Sequence, residues 1–178
     1  MSVLAPNGRT MNYPSTHFVE SAGTVLFDLS TRQICLLHHI SSNEYLLPKG
    51  RRNLGESRPD AAIRETREET GWTCRLSRVK MWTRCTLAVS EEESRVENVP
   101  RRVDGVVEPF MLTQRMLPAE KGKGVKIIWW FVGVVEEAVE RGKGEEQFEA
   151  ELLSFEAAVD RLTFPDGQGS RSSSHRHL

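Results

Sequence analysis

Three glutamates lie close together near the middle of the chain, in the segment RETREETG. Glu65, Glu68 and Glu69 are spaced i, i+3 and i+4, so an α-helix would place all three within an arc of roughly 100° on one face. Like charges at this spacing destabilise a helix, and a bound cation would relieve the repulsion. Hard oxygen ligands without His or Cys in reach favour Mg²⁺ or Mn²⁺ over zinc. The pattern predicts a divalent-cation site, with a solvated charged face as the alternative.

A basic segment precedes these glutamates. Lys49, Arg51 and Arg52 flank Gly50, which brings three positive charges and a flexible backbone next to the acids. A site that binds a phosphate chain together with its metal needs this combination. We therefore predict that the three cations bind substrate phosphates, and the alternative is that they are ordinary solvated loop charges.

The stretch that carries the glutamates has the local signals of a helix. Ser57 with Asp60 three residues later forms a capping-box-like start, and Pro59 lies in the first turn, where its missing N–H costs nothing. Gly71 occupies the position of a C-terminal capping glycine. These signals predict a helix from Pro59 to Thr70.

The flanking sequence indicates how that helix is supported. Runs of β-branched and apolar residues predict strands, and apolar residues at helical spacing predict a second helix near the end. The charged region 90–124 is predicted to be a long loop. We predict an antiparallel strand pair at 18–27 and 33–40, a short apolar step at 45–47, one or two strands within 74–89, a strand buried on both faces at 125–135 and a helix at 149–162.

The composition narrows the class of protein. A chain of 178 residues is long enough for one sizeable core and too short for two ordinary domains. Its net charge of −1 provides no overall attraction to nucleic acid or to an anionic membrane, so neither is expected as a partner. Cys35, Cys74 and Cys85 are odd in number and widely spaced, which indicates reduced core thiols. The N-terminus lacks the apolar run of a secretory signal, so we expect a cytoplasmic or nuclear location.

The segment GRRNLGESRPDAAIRETREETGW, from Gly50 to Trp72, resembles the Nudix hydrolase signature. That signature is Gly, five residues, Glu, seven residues, Arg-Glu, an aliphatic residue, any residue, Glu-Glu, any residue, Gly and an aliphatic residue. Thr66 and Trp72 stand where the family usually has an aliphatic residue, which affects helix packing and no ligand. The positions in register are Gly50, Glu56, Arg64, Glu65, Glu68, Glu69 and Gly71.

The resemblance implies an α/β (α+β) fold, the α/β/α sandwich of this family with a mixed β-sheet between helices. We expect one Nudix hydrolase domain over residues 16–164. Residues 1–15 are polar and are predicted to be a flexible N-terminal segment. Residues 165–178 have nothing to bury and are predicted to be a disordered tail.

The resemblance also implies roles for the signature residues. Members of the family bind divalent cations, which here would be Mg²⁺ or Mn²⁺, through the carbonyl oxygen of Gly50 and through the carboxylates of Glu65, Glu68 and Glu69. The general base would be Glu68 or Glu65. We favour Glu68, because Glu65 and Glu69 lie one turn apart and form the best-stacked pair for a metal.

Two further signature residues are expected to orient these ligands. Glu56 and Arg64 would form a salt-bridged pair, and Arg64 is also within reach of Asp60 and Glu68 at i−4 and i+4. In the family, an acid from outside the signature often completes such sites. The sequence leaves several candidates open: Glu145 and Glu146, with Glu91–Glu93, Glu97, Glu108 and Glu120 as competitors.

Two pairs outside the signature, one of histidines and one of tryptophans, have weaker implications. His38 and His39 at the end of a strand are expected to be surface or packing residues. Trp129 and Trp130 must point to opposite faces of their strand, so at most one can line a substrate cleft.

The substrate class is inferred from resemblance within the family. The segment LPKG at 47–50 resembles members that act on diadenosine polyphosphates and diphosphoinositol polyphosphates, and Ser41-Ser42 resembles the latter. We predict hydrolysis of a phosphoanhydride bond in one of these small phosphorylated substrates, ahead of sugar nucleotides, NADH, oxidised nucleotides and capped RNA. The substrate-binding residues would be Lys49, Arg51, Arg52, Ser41 and Ser42.

Two readings from other classes compete with this one. A catalytically inactive binding module would be supported by loss of a signature glutamate, and none is lost. An RNA-binding or decapping factor would need a basic stripe, and the tail with Arg171 and Arg176 is only weakly basic.

Overall fold

A computed structural model describes residues 10–86, 99–117 and 124–163 of the protein. The predicted tail at 165–178 and residues 1–9 of the predicted N-terminal segment lie outside the described residues. The domain limits at 16 and 164 therefore stay a prediction.

The centre of the fold is a mixed β-sheet built on strand β1, Phe18–Asp28. This strand pairs antiparallel with β2, Gln33–His39, which confirms the strand pair predicted from the sequence. It pairs in parallel with β9, Gly124–Val135, which has buried residues on both faces, as predicted for that apolar run. Two of the longest strands therefore lie side by side in the middle of the sheet.

The shorter strands extend this sheet on both sides. Two strands outside it, β6 at Val79–Thr83 and β7 at Arg101–Val106, form a separate antiparallel pair. The strands added to the large sheet are β3 at Glu44–Leu46 and β10 at Phe148–Leu153 on β2, β4 at Lys49–Arg51 on β1, and β5 at Cys74–Leu76 and β8 at Met111–Leu117 on β9.

Helix α1, Arg58–Thr70, has the ends that the sequence predicts. The side chain of Ser57 accepts a hydrogen bond from the N–H of Asp60. Gly71 closes the helix in the left-handed conformation, with φ of 76°, and its N–H donates to the carbonyl of Arg67 at 2.8 Å. The helix that carries the glutamates is therefore fixed at both ends by local contacts.

Helix α1 lies close to the sheet because its inner face is small. Ala61 and Ala62 are fully buried against Ala22 of β1 and Phe131 of β9. A second, short helix, α2 at Phe155–Arg161, packs through Ala158 on the cluster that includes Ile34 and Leu36. Neither helix of the described residues is long and apolar enough to cross a membrane.

Alternation along β1 places the two helices on opposite faces of the sheet. Ala22 and Leu26 face α1, whereas Val25 and Phe27 pack with the cluster under α2. The predicted α/β/α sandwich with a mixed sheet is therefore confirmed.

The prediction of one helix over 149–162 is wrong in its first half. Residues Phe148–Leu153 form β10, in which Ala150 and Leu152 pair with Leu37 and Cys35 of β2. The helix begins only after Ser154, whose side chain caps it. The spacing of Leu152 and the following apolar residues fits a helix as well as a strand, and pairing with β2 decides for the strand.

Three other predictions need correction. Region 90–124 is not all loop, because β7 and β8 lie within it; residues 87–98 and 118–123 lie outside the described part. The short basic segment after Pro48, expected to be flexible, forms β4 and pairs with β1. Among the thiols, Cys35 and Cys74 are buried as predicted, but Cys85 is exposed.

Candidate active site

The three glutamates of α1 lie in different environments. Glu65 and Glu69 are buried, whereas the side chain of Glu68 is 48% exposed. Burial is the largest cause that raises the pKa of Glu65, and it raises the pKa of Glu69 to about 7. Each of these two carboxylates also feels the negative charge of Glu145. The buried pair therefore holds its negative charges only against an electrostatic cost.

Strand β4 lies directly against these carboxylates. The N–H of Lys49 donates a hydrogen bond of 2.7 Å to Oε2 of Glu69. At Gly50, a Cβ atom would overlap the carboxylate of Glu65. A glycine is therefore required here by the close approach of the Glu65 carboxylate.

Arg64 joins the loop before the helix to the glutamates. Its guanidinium forms a two-pronged ion pair with Glu56, at 2.7 and 2.9 Å, and donates to the carbonyl of Arg51 at 2.8 Å. The same side chain donates to Glu65 at 2.7 Å and to Glu68 at 2.8 Å. The hydrogen bonds from Arg64 are the largest cause that lowers the pKa of Glu56, to about 2.

The predicted contact between Arg64 and Asp60 is not among these bonds. Asp60 instead accepts a hydrogen bond from the hydroxyl of Ser57 at the helix start, at 2.6 Å. The predicted contact with Glu68 is present, and so is the pair with Glu56.

Of the acids considered outside the signature, Glu145 lies beside the glutamates. Its N–H donates to the carbonyl of Glu68 at 3.0 Å, and its charge raises the pKa of both buried glutamates. Glu146 instead forms an exposed ion pair with Lys143. Glu108 lines a separate cavity with Trp129 and Glu56. The remaining candidates, Glu91–Glu93, Glu97 and Glu120, lie outside the described residues.

The predicted cations divide into two groups. Lys49 and Arg51 project from β4 on the face opposite Gly50. Arg52 instead donates to Glu20 at 3.1 Å and to the carbonyl of Glu56 at 2.8 Å, so its charge is already paired.

A family model of the NUDIX domain matches residues 17–174. The chain belongs to the Nudix family. A segment of 84 residues is 36% identical to an 8-oxo-(d)GTP phosphatase of Mycolicibacterium smegmatis, covering 41% of this chain and 26% of that protein. The chain therefore matches only about a quarter of that relative's length.

Solved Nudix structures share the fold. A NUDIX hydrolase from Nitrosomonas europaea is 18% identical, with a TM-score of 0.52, over 83% of this chain and 81% of that chain. An Ap4A hydrolase of C. elegans, in a binary complex, is 19% identical, with a TM-score of 0.50, over 83% of this chain and 88% of that one. At such identities the likeness concerns the fold alone.

One departure from the Nudix signature has a structural explanation. Thr66, which replaces an aliphatic residue, is fully buried and its hydroxyl lies 2.9 Å from that of Thr24 on β1. It also donates to the carbonyl of Ala62 at 2.7 Å. Burying a hydroxyl group costs little free energy when it has two hydrogen-bond partners, so the helix keeps its packing against the sheet.

Two cations beside the Nudix signature were missed from the sequence. Lys126 on β9 is partly buried, and burial together with the charges of Lys49, Arg115 and Arg51 lowers its pKa to about 8. Arg115 on β8 pairs directly across from it. The signal for Lys126 was a lone lysine at the start of the most apolar strand; Arg115 has no such signal in the sequence.

A cavity of about 580 Å³ adjoins these cations on the face of the sheet opposite α1. Its apolar walls include Leu46, Met111 and Trp130, and Lys49 and Arg115 also line it. Trp129 faces α1 instead, where its indole N–H donates to Glu20 at 3.0 Å. The two tryptophans thus lie on opposite faces, as predicted, and only Trp130 lines this cavity.

The serines predicted to bind substrate lie in the turn between β2 and β3. The turn and Lys49 flank opposite ends of β3. Ser42 is exposed and donates to Glu44 at 2.8 Å, and both serine hydroxyls lie near His39. Nothing in the described residues brings Ser41 or Ser42 to the glutamates of the Nudix helix.

A second group of potential metal ligands lies elsewhere on the sheet. His38, Glu149 and Glu151 each offer a ligand atom within 4.8 Å of the others. Glu151, however, is already engaged by Arg161 at 2.7 Å and by the hydroxyl of Tyr45 at 3.1 Å. This group is separate from the Nudix helix.

Proposed function

We propose that this chain is a divalent-cation-dependent pyrophosphohydrolase that cleaves a phosphoanhydride bond in a small, highly phosphorylated substrate. The observation that carries the proposal is the pair of buried carboxylates, Glu65 and Glu69, held against the backbone of β4. Burial raises the pKa of Glu65, and raises that of Glu69 to about 7, so a cation bound between the two carboxylates would offset the cost of their buried charges. Carboxylate and carbonyl oxygens fit Mg²⁺ or Mn²⁺.

The metal would be held by Glu65, Glu69 and the carbonyl oxygen of Gly50, with Glu68 as a further ligand if it is not the general base. A divalent cation bound there would neutralise phosphate charge and make water a stronger nucleophile. Glu68 is the proposed general base, because its exposed carboxylate is the one that solvent reaches, and Glu65 is the alternative. Glu145 is the proposed acid from outside the signature.

Arg64 and Glu56 act through these groups as positioning residues. The Arg64 guanidinium binds Glu65 and Glu68 at once, while its pairing with Glu56 fixes its own orientation. A planar, two-pronged contact of this kind restricts the rotamers of the glutamates. The reactive carboxylates are thereby ordered before substrate arrives.

Lys49 and Arg51 are the proposed phosphate ligands, since neither forms an ion pair within the described part of the chain. Arg52 is a weaker candidate because Glu20 and the Glu56 carbonyl already engage it. Ser41 and Ser42 remain candidates only for a large substrate that reaches past β3.

The cavity beside the cations bears on the choice between the two candidate substrates. A nucleoside has an aromatic base that gains from apolar walls such as Leu46, Met111 and Trp130, whereas an inositol polyphosphate carries charge all round its ring. This favours dinucleoside polyphosphates, with diphosphoinositol polyphosphates as the second candidate.

The decisive experiment is a panel of pyrophosphate substrates assayed with Mg²⁺, with Mn²⁺ and with excess chelator. The panel contains diadenosine polyphosphates, a diphosphoinositol polyphosphate, 8-oxo-dGTP, a nucleotide sugar, NADH and capped RNA. We expect the first two classes to be hydrolysed fastest, and only with metal. Full turnover in chelator would exclude the metal mechanism.

A catalytically inactive binding module is the alternative from another class. It would bind members of the same panel without releasing phosphate or nucleotide under any metal condition. A cytoplasmic or nuclear location stays a prediction from the sequence.

A further inference from the structure

Four cations on three strands of the sheet lie on one face. Arg115 lies on β8, Lys126 on β9, and Lys49 and Arg51 on β4, which is separated from β9 only by β1. The charges of the other three all act on Lys126, which places them within electrostatic reach of it. None of the four forms an ion pair with any residue that the structure describes.

The two positive charges of Arg115 on β8 and Lys126 on β9 destabilise the strand pair when no anion is bound. Arg115 and Lys126 lie directly opposite each other in an antiparallel register, where like charges destabilise the pairing of strands. Lys126 is also partly buried, so its ammonium has lost part of its hydration. An arrangement that costs stability and forms no ion pair within the described chain is what a binding site for an external anion requires.

The position of Arg115 and Lys126 relative to the glutamates indicates which kind of anion they would bind. The carboxylate of Glu69 acts on Lys126, and the backbone of Lys49 binds Glu69, so the cations border the proposed reaction centre. The cavity lined by Lys49 and Arg115 extends away from it. A chain of phosphates that has one anhydride at the glutamates would therefore reach the pair with a more distant phosphate.

We propose that Arg115 and Lys126 form a subsite for a phosphate remote from the cleaved bond, so that the enzyme prefers substrates with three or more linked phosphates over those with two. The subsite rests on the proposed function, because it assigns the second end of the same substrate. It explains why two charges are kept opposite each other in a strand pair.

Binding of inorganic phosphate chains tests the subsite independently of turnover. The probes are tripolyphosphate and pyrophosphate, titrated calorimetrically into the protein with Mg²⁺ present at low salt, and phosphate release is assayed in parallel. We expect the wild type to bind tripolyphosphate more tightly. The double variant Arg115→Gln/Lys126→Met should lose about tenfold or more of that affinity, the scale of lost contacts to charged groups, and little affinity for pyrophosphate.

A matched control separates the subsite from bulk charge. Arg75 is an exposed arginine on β5, which pairs with the same strand β9. Arg75→Gln removes the same charge from a strand that pairs with the other end of β9 and should leave both affinities unchanged. The conservative variant Lys126→Arg should keep most of the preference for tripolyphosphate.

Stability provides a second readout. Because the paired charges repel each other, Lys126→Met should unfold at the same temperature as the wild type or at a higher one. Equal losses of affinity for both probes, or no loss for tripolyphosphate, would overturn the proposal. If no substrate in the panel is hydrolysed, the proposed function fails, while the difference between the two probes still decides the subsite.

Discussion

The backbone N–H of Lys49 donates a 2.7 Å hydrogen bond to Oε2 of the buried Glu69 carboxylate. This bond joins a strand of the sheet to the helix at the residue whose pKa is raised to about 7 by burial. A glutamine at position 69 could still accept this bond through its amide oxygen, but would carry no charge. Charge and shape can therefore be separated at this position.

Replacing Glu69 and Glu68 separately by Gln should distinguish a metal ligand from a base. Glu69→Gln should weaken metal binding, so that raised Mn²⁺ restores part of the rate. Glu68→Gln should keep metal affinity and lose roughly 10²–10⁴-fold in kcat, the usual contribution of a positioned base. Metal titrations of kcat for both variants measure the difference. Equal rescue by metal would make Glu68 a ligand and move the base to Glu65.

A methyl group at Gly50 should abolish most of the activity. The added Cβ of Gly50→Ala would overlap the carboxylate of Glu65, which must then move away from the metal site. We expect loss of metal affinity and at least a tenfold loss of kcat/KM, with α1 still folded by circular dichroism. Gly142→Ala is the control, because its Cβ would meet nothing closer than 3.6 Å. A fully active Gly50→Ala variant would refute this placement of the metal.

The structure separates Arg52, which is bonded to Glu20, from Lys49 and Arg51, which form no ion pair in the described part of the chain. Kinetics can test whether only the latter two bind phosphate. Lys49→Ala combined with Arg51→Ala should raise KM more than it lowers kcat, because these charges hold phosphates in both the ground and the transition state. Arg52→Ala should lower the unfolding temperature through its lost bond to Glu20, with KM little changed. A KM raised equally by both sets of changes would return Arg52 to the substrate-binding residues.

Acid should destabilise the protein partly through Glu56. Its pKa lies below the ordinary value because of the bonds from Arg64, so its contribution to stability is present above about pH 4.5 and is lost as the pH falls towards 2. Urea unfolding between pH 6 and 2.5 should therefore show a smaller loss of stability for Glu56→Gln than for the wild type. Glu146→Gln, which removes an exposed pair with Lys143, should follow the wild-type profile. Parallel profiles for all three proteins would contradict this prediction.

The sequence predicted the helix of the glutamates well because its signals are local. Ser57 and Gly71 act within a turn of their own positions, and the spacing of the glutamates defines their shared face. The sequence could not predict that Glu65 and Glu69 are buried while Glu68 is exposed. Glu69 is covered because β4 lies against it, and a three-residue strand is too short to leave a pattern.

The residues missed from the sequence depend on contacts between distant segments. Arg115 meets Lys126 only because β8 pairs with β9, and β8 lies in a stretch whose charges indicate a loop. In the same way, Leu152 belongs to a strand because β2 pairs with it, although its spacing also fits a helix. The sequence groups Arg52 with Lys49 and Arg51 because the three are close in sequence. In the structure its partner is Glu20, more than thirty positions earlier.

Strand β4 has consequences for how this enzyme could evolve. Its alternating residues turn Gly50 towards the helix and Lys49 and Arg51 towards the cations of β8 and β9. If the proposed function is correct, bond cleavage and substrate choice lie on opposite sides of one short strand. Substitutions on β8 or β9 could redirect the enzyme to new substrates while the carboxylates stay as they are, so selection can adjust preference without first sacrificing catalysis.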